Sequence, residues 1–191
     1  MTSIALYGGT FDPIHNGHLI LAREAREHLA LEKIVFLPAR VSPHKLDRPP
    51  TDGHLRAEMI AAAIAGEEGF ELDTRELHRS GPSYTIDTIR EFLAEHPDVR
   101  FHYLIGEDSL PDLPKWKEAE TIVSLVQFVV LARDTDGSQH DMPVITRRIE
   151  ISSTEIRHRA ANNLSLRYLL PEPVAAIIAR HKLYRETEMT M

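Results

Sequence analysis

Two short stretches, far apart in the chain, carry residue types suited to phosphate chemistry. The first is Gly8-Gly9-Thr10-Phe11-Asp12-Pro13-Ile14-His15-Asn16-Gly17-His18. It follows a strand-like apolar run and leads into a helical pattern. Two adjacent glycines permit a tight turn and a close approach of backbone to a ligand. Free amides at a helix start, with the helix dipole behind them, suit an anion. His15 and His18 stand three apart, so both imidazoles can share the face where the helix begins. Their N–H groups would donate to phosphoryl oxygens and stabilise charge that builds during transfer. Other readings stay open at this level: a plain turn at Gly8-Gly9-Thr10, a metal-binding histidine pair, or histidines that merely start the helix. The string is neither the Gly-x-Gly-x-x-Gly dinucleotide fingerprint nor a Walker loop, because no Gly-Lys-Ser/Thr follows.

The second stretch is Ile151-Ser152-Ser153-Thr154-Glu155-Ile156-Arg157. Ser152 and Glu155 have capping-box spacing, which is a purely structural use for that serine. Ser153 and Arg157 lie four apart, so both can address a ligand at the first turn of the helix. The planar fork of arginine matches phosphate oxygens and stays charged. Two phosphate-compatible helix starts would grip one polyphosphate from opposite sides. The expectation is therefore that these two stretches converge in the fold.

The elements that must position them alternate. Strands are expected at residues 3–7, 34–37, 70–72, 101–105, 126–131 and, more weakly, 144–145. Helices are expected at about 17–31, 54–65, 84–95, from Ser152, and from Pro171 to about His181. Strand–helix alternation predicts an α/β fold, a doubly wound parallel sheet covered on both faces. In such sheets ligands bind beyond the carboxyl ends of strands, at the topological switch point. The glycine–histidine stretch stands at such a strand end.

The length of 191 residues predicts a single domain at 1–185, with 152–185 as its small helical C-terminal part and 186–191 as a frayed tail. A net charge of −7 argues against a general nucleic-acid binder, while leaving room for a locally positive nucleotide cleft. The absence of cysteine excludes disulfides, thiolate chemistry and cysteine-bound zinc. No targeting segment and no apolar run of membrane-spanning length is visible, so a cytoplasmic protein without a membrane partner is expected. Nothing in the sequence sets an oligomeric state.

His15-Asn16-Gly17-His18 resembles the His-x-Gly-His signature of a nucleotidyltransferase superfamily. The longer string from Gly8 to Leu19 is similar to the bacterial nicotinate-mononucleotide adenylyltransferase family in particular. So are Ser83–Thr88, Leu104–Ser109 and Leu113-Pro114-Lys115-Trp116, and the likeness runs from Ile4 to about Tyr184. It implies a Rossmann-like nucleotidyltransferase fold that takes ATP and nicotinate mononucleotide as partners. An ATP site is implied at Gly8, Gly9, Thr10, His15, His18, Gly106, Ser152, Ser153 and Arg157. Lys45, otherwise readable as a solvated surface lysine, would lie over the phosphates and reach the acceptor. Thr85 would meet the pyridine carboxylate, Trp116 would stack on the ring, and Asp108 would bind ribose hydroxyls. Catalysis would rest on His15, His18, Lys45 and Arg157, with Mg2+ delivered by ATP and no dedicated protein ligand for it. The attacking phosphate monoester is already anionic, so the resemblance calls for positioning and charge stabilisation rather than a nucleophilic serine. Phosphopantetheine adenylyltransferases share the histidines, but Ser83–Thr88 and Gly106–Trp116 fit them poorly. Lys117 stands where the family often has an aromatic residue or histidine.

Overall fold

A computed structural model describes residues 2–40, 49–132 and 141–185. In chain order the elements are β1 (Ser3–Gly9), α1 (Asn16–His28), β2 (Lys33–Pro38), α2 (Gly53–Ile64), β3 (Phe70–Leu72), α3 (Arg75–His78) and α4 (Thr85–Glu95). There follow β4 (Arg100–Gly106), a 3-10 helix (Glu107–Lys115), α5 (Ala119–Leu125), β5 (Gln127–Ala132), β6 (Val144–Thr146), α6 (Ser153–Ala161) and α7 (Glu172–Arg180). The six strands form one all-parallel sheet in the order β3-β2-β1-β4-β5-β6.

Three elements are additional to the sequence expectation. The four residues of α3 are too few for a 3.6-residue period to register. Glu107–Lys115 contains Pro111 and Pro114, which cannot donate to a continuous α ladder. α5 is only seven residues long and starts from Glu118 in the left-handed region, at φ 57°. The first helix also stops at His28 rather than Leu31, because Ala30 turns left-handed at φ 47°.

Period-two alternation splits the sheet residues between two cores. Ala5 and Tyr7 of β1, with Ile34 and Phe36 of β2, pack against α1, α2, α6 and α7 through Leu21, Met59, Ile156 and Val174. Ile4 and Leu6, with Val35 and Leu37, pack against α4, the 3-10 helix and α5 through Ile89, Leu113 and Ile122. Both sheet faces are thus covered, which explains why β1, β2 and β5 read as nearly continuous apolar runs. The strand order reverses between β1 and β4, and the exits of these two strands face a common crevice.

Candidate active site

β1 ends at Gly8-Gly9 because residues with side chains do not fit there. A Cβ on Gly8 would lie 2.1 Å from the Tyr103 hydroxyl of β4, and one on Gly9 would lie 2.9 Å from the Phe11 ring. The chain then passes Thr10, Phe11 and Asp12 and enters α1. His15 is the N-cap of that helix: its ring accepts from the His18 amide at 3.4 Å, while the His18 ring accepts from the His15 amide at 3.3 Å. The two imidazoles stack with centroids 3.7 Å apart. His15 is fully buried and His18 partly exposed. Capping and phosphate contact, alternatives in the sequence, are therefore compatible: the reciprocal cap fixes the rings at the positive end of α1.

The second stretch docks onto the first. Ser153 Oγ donates to the carbonyl oxygen of Pro13 at 2.9 Å. Arg157 Nη1 donates to the carbonyl of Asp12 at 2.7 Å, and Nη2 donates to Thr154 Oγ1 at 3.1 Å. Residues 140 and 145 positions apart are thus in direct contact, and the N-terminus of α6 abuts the loop that enters α1. Ser152 Oγ accepts from the Glu155 amide at 3.1 Å, so its oxygen serves the cap of α6. The carboxylate of Asp12 is held as well. Oδ1 accepts from the Tyr184 hydroxyl at 2.7 Å and Oδ2 from the Thr51 amide at 3.2 Å.

At the crevice between β1 and β4 lies a cavity of about 260 Å3. Gly8, Gly9 and Thr10 form one wall; Thr85, Gly106, Asp108 and Trp116 line the remainder together with Glu76, Ser83 and Tyr103. Three of the four acceptor residues expected from sequence, Thr85, Asp108 and Trp116, thus line one cavity that shares the Gly8–Thr10 turn. The walls of this cavity do not include His15, His18, Ser152, Ser153 or Arg157, which cluster around Asp12 and Pro13 further along the same loop. Trp116 meets Tyr103 and Phe128 edge-on, at 5.9 and 6.3 Å between centroids. The Asp108 carboxylate folds back over Gly106, where a Cβ would come within 2.5 Å of it. Lys45 lies outside the described residues.

Glu76, Tyr184 and Arg56 carry no expected role from sequence, and Lys117 marks there only a departure from the family pattern. Glu76 is buried in the cavity wall, where Oε1 accepts from Thr88 Oγ1 at 2.7 Å. Burial pushes its carboxyl pKa up, against the pull of the Thr88 hydrogen bond and the Arg79 charge. It sits on the short α3, where no pattern flags it. Lys117 lines the cavity rim, 3.2 Å from Asp87 and 4.7 Å over the Tyr84 ring. Tyr184 belongs to the stretch after α7, with no local signal for so distant a contact. Arg56 did carry a signal: it shares the apolar stripe of α2 with Met59 and Ile60, at helical spacing.

The cytidylyltransferase-like family pattern matches residues 6–159. A protein of Geobacillus thermodenitrificans named "Probable nicotinate-nucleotide adenylyltransferase" is 43% identical over 187 residues, covering 96% of this chain and 87% of its own length. The chain belongs to the nicotinate-nucleotide adenylyltransferase family. A Bacillus cereus (strain Q1) member is 42% identical over 96% of this chain and 99% of its own. Among solved structures, the Plasmodium falciparum nicotinic acid mononucleotide adenylyltransferase complexed with NaAD superposes with a TM-score of 0.81 at 22% identity, covering 96% of this chain and 98% of that one. The same enzyme complexed with APC gives 0.77 at 21% identity, with the same coverage. At such identity the likeness speaks for the fold, and family membership rests on the closer sequence relatives. This adenylyltransferase family is a nucleotidyltransferase family, as the glycine–histidine stretch implies. Among the described residues no helix is long and apolar enough to cross a membrane.

Proposed function

We propose that this enzyme joins the AMP moiety of ATP to nicotinate mononucleotide, releasing pyrophosphate and forming nicotinate adenine dinucleotide. One observation carries the reading: the α6 N-terminus, through Ser153 and Arg157, is bonded to the Asp12–Pro13 carbonyls that lead into His15 and His18. Cationic and N–H-bearing groups from two distant stretches thus face one loop, and that loop also walls the cavity beside Thr85 and Trp116. The names of the 42–43% identical relatives support the choice of nicotinate nucleotide.

In the reaction, a phosphate oxygen of the mononucleotide attacks the α-phosphorus of ATP. The bond from that phosphorus to the bridging oxygen breaks, and pyrophosphate leaves with the electron pair. Both partners are anions, so the barrier is set by repulsion and misalignment. His18 and His15 act on the triphosphate and the charge of its transition state. Arg157 and Lys45 neutralise phosphate oxygens, Arg157 on the pyrophosphate side. Gly8, Gly9, Thr10, Gly106, Ser152 and Ser153 shape the ATP site, while Thr85, Asp108 and Trp116 hold the pyridine nucleotide. Among the described residues no group of three or more histidines and carboxylates is arranged to hold a metal ion. Mg2+ enters this reading as part of the substrate, carried on the ATP phosphates and water. Residues 1–185 act as one domain, and we place the reaction in the cytoplasm, where ATP is at hand.

A pyrophosphate-release assay with magnesium ATP tests this reading, with nicotinate mononucleotide, nicotinamide mononucleotide and phosphopantetheine as parallel acceptors. Release driven best by the nicotinate form is expected. Release with phosphopantetheine alone, or none with any acceptor, overturns it.

A further inference from the structure

α2 buries a cation among its apolar residues. Arg56 is 1% exposed and stands between the first turn of the helix and Met59 and Ile60, both fully buried. Among the described residues, all its hydrogen-bond acceptors are main-chain carbonyls. Nε donates to Thr51 at 2.8 Å, Nη1 to Thr10 at 2.7 Å, and Nη2 to Ala39 at 2.8 Å and Arg40 at 3.4 Å. Removing a guanidinium from water is unfavourable unless its donors are satisfied, and an apolar side chain would fill this helix position without that cost. The reason for an arginine here lies in what the fork joins.

It joins three segments that approach the site separately. Thr10 follows β1, Ala39 and Arg40 follow β2, and Thr51 precedes α2. Thr10 and Ala39 both line the cavity. Thr10 is two residues from Asp12, whose backbone carbonyl receives Arg157. The Thr51 amide itself donates to the Asp12 carboxylate. A single side chain therefore ties the exits of two neighbouring strands, already linked by the Ala39 amide to the Gly9 carbonyl, to the segment that enters α2.

We infer that Arg56 is a positioning residue for the proposed adenylyl transfer, holding the Thr10–His18 loop in register with the β2 exit without touching substrate. This rests on the function proposed above. Lysine keeps the charge but presents a point donor that cannot span carbonyls on three segments, so charge alone is not sufficient. Displacement of a reacting group by about 1 Å costs about 10²-fold in rate. A loss confined to the transition state appears in kcat rather than KM.

The test compares wild type, Arg56→Lys and Ile178→Ala, each assayed well below its own unfolding midpoint. Ile178 is a buried core residue of α7 and controls for lost stability. R56K is expected to lower kcat about 10- to 100-fold, with the KM for each substrate within about threefold of wild type; I178A is expected to lower the midpoint and leave kcat unchanged. A wild type that releases no pyrophosphate defeats the proposed function. An active wild type with a folded R56K of unchanged kcat overturns the role of Arg56 alone. If R56K does not fold, amide exchange in the wild-type protein decides. The Ala39 amide, bonded to Gly9, and the Thr51 amide, bonded to Asp12, should share one protection factor; widely different factors would show that the segments open independently and overturn the inference.

Discussion

Tyr184, close to the end of the chain, donates its hydroxyl to Oδ1 of Asp12 at 2.7 Å, across 172 positions of sequence. Every oxygen of Asp12 then has a donor: Oδ1 from Tyr184, Oδ2 from the Thr51 amide and the backbone carbonyl from Arg157. A carboxylate beside the proposed phosphate site would repel the ligand if it swung freely, and these bonds fix its direction. Tyr184→Phe deletes one of them while keeping the ring. A stability loss of about 1.5–3 kcal/mol is expected, the range for a hydrogen bond to a charged acceptor. Urea unfolding of the two proteins measures it, and equal midpoints would mean that the bond does not form in solution.

The same phenol, with that of Tyr103, predicts how stability depends on alkali. Burial raises the pKa of both, helped by the Asp12 charge at Tyr184 and the Glu76 charge at Tyr103. A raised folded-state pKa means that the native protein keeps protons which the unfolded chain releases above about pH 10. Stability from these groups is complete below that pH and falls as pH rises toward their folded values. Tyrosinate absorbance followed against pH should show at least two tyrosines, Tyr103 and Tyr184, ionising only as the fold is lost. All five tyrosines titrating together near pH 10, with native circular dichroism retained, would contradict it.

His18→Ala addresses the chemistry more directly. The ring is partly exposed at the helix start, stacked on a fully buried His15. Removing it takes away one preorganised donor and one acceptor of the reciprocal cap. Turnover should fall about 10²–10³-fold, the scale for losing a single oxyanion donor. Because the His15 side of the cap remains, the helix should persist, with a stability loss of about 1 kcal/mol. Near-normal turnover in the folded variant would remove His18 from the catalytic set.

The sequence exposed the parts of this architecture that rest on local rules. β1, β2 and β4 are apolar runs that end at Gly9, Pro38 and Gly106, and each ends near where pattern and punctuation place it. The Ser152 cap and the Ser153/Arg157 spacing were visible because a helix start is written in a few consecutive residues. Contacts across long sequence separations were not. Nothing near Glu76 announces that Thr88 will bond to it, and nothing near Tyr184 points back to Asp12. Those partners are chosen by how the sheet and helices pack, which is a property of the whole chain. Arg56 lies between the two cases: its place on an apolar stripe marks it as unusual, but only the fold shows which carbonyls it joins.

The Gly8–Tyr103 contact gives a prediction with an internal control. Gly8 lies in β1 opposite Leu37 of β2, with no left-handed backbone to demand glycine. The demand is steric: an added Cβ would sit 2.1 Å from the Tyr103 hydroxyl oxygen and 3.1 Å from its ring carbon. That hydroxyl lies in the cavity lining that Thr85 shares. Gly8→Ala should therefore cost about 1–3 kcal/mol through overpacking. Tyr103→Phe removes a single hydroxyl and should cost no more than about 1 kcal/mol. Combined, the phenylalanine removes the atom that the alanine collides with, so the double variant should lose about 1 kcal/mol less than the sum of the two. Urea midpoints of the four proteins measure the coupling. Strict additivity would mean that Gly8 and Tyr103 do not meet, and that the wall between the β1 turn and Thr85 is built some other way.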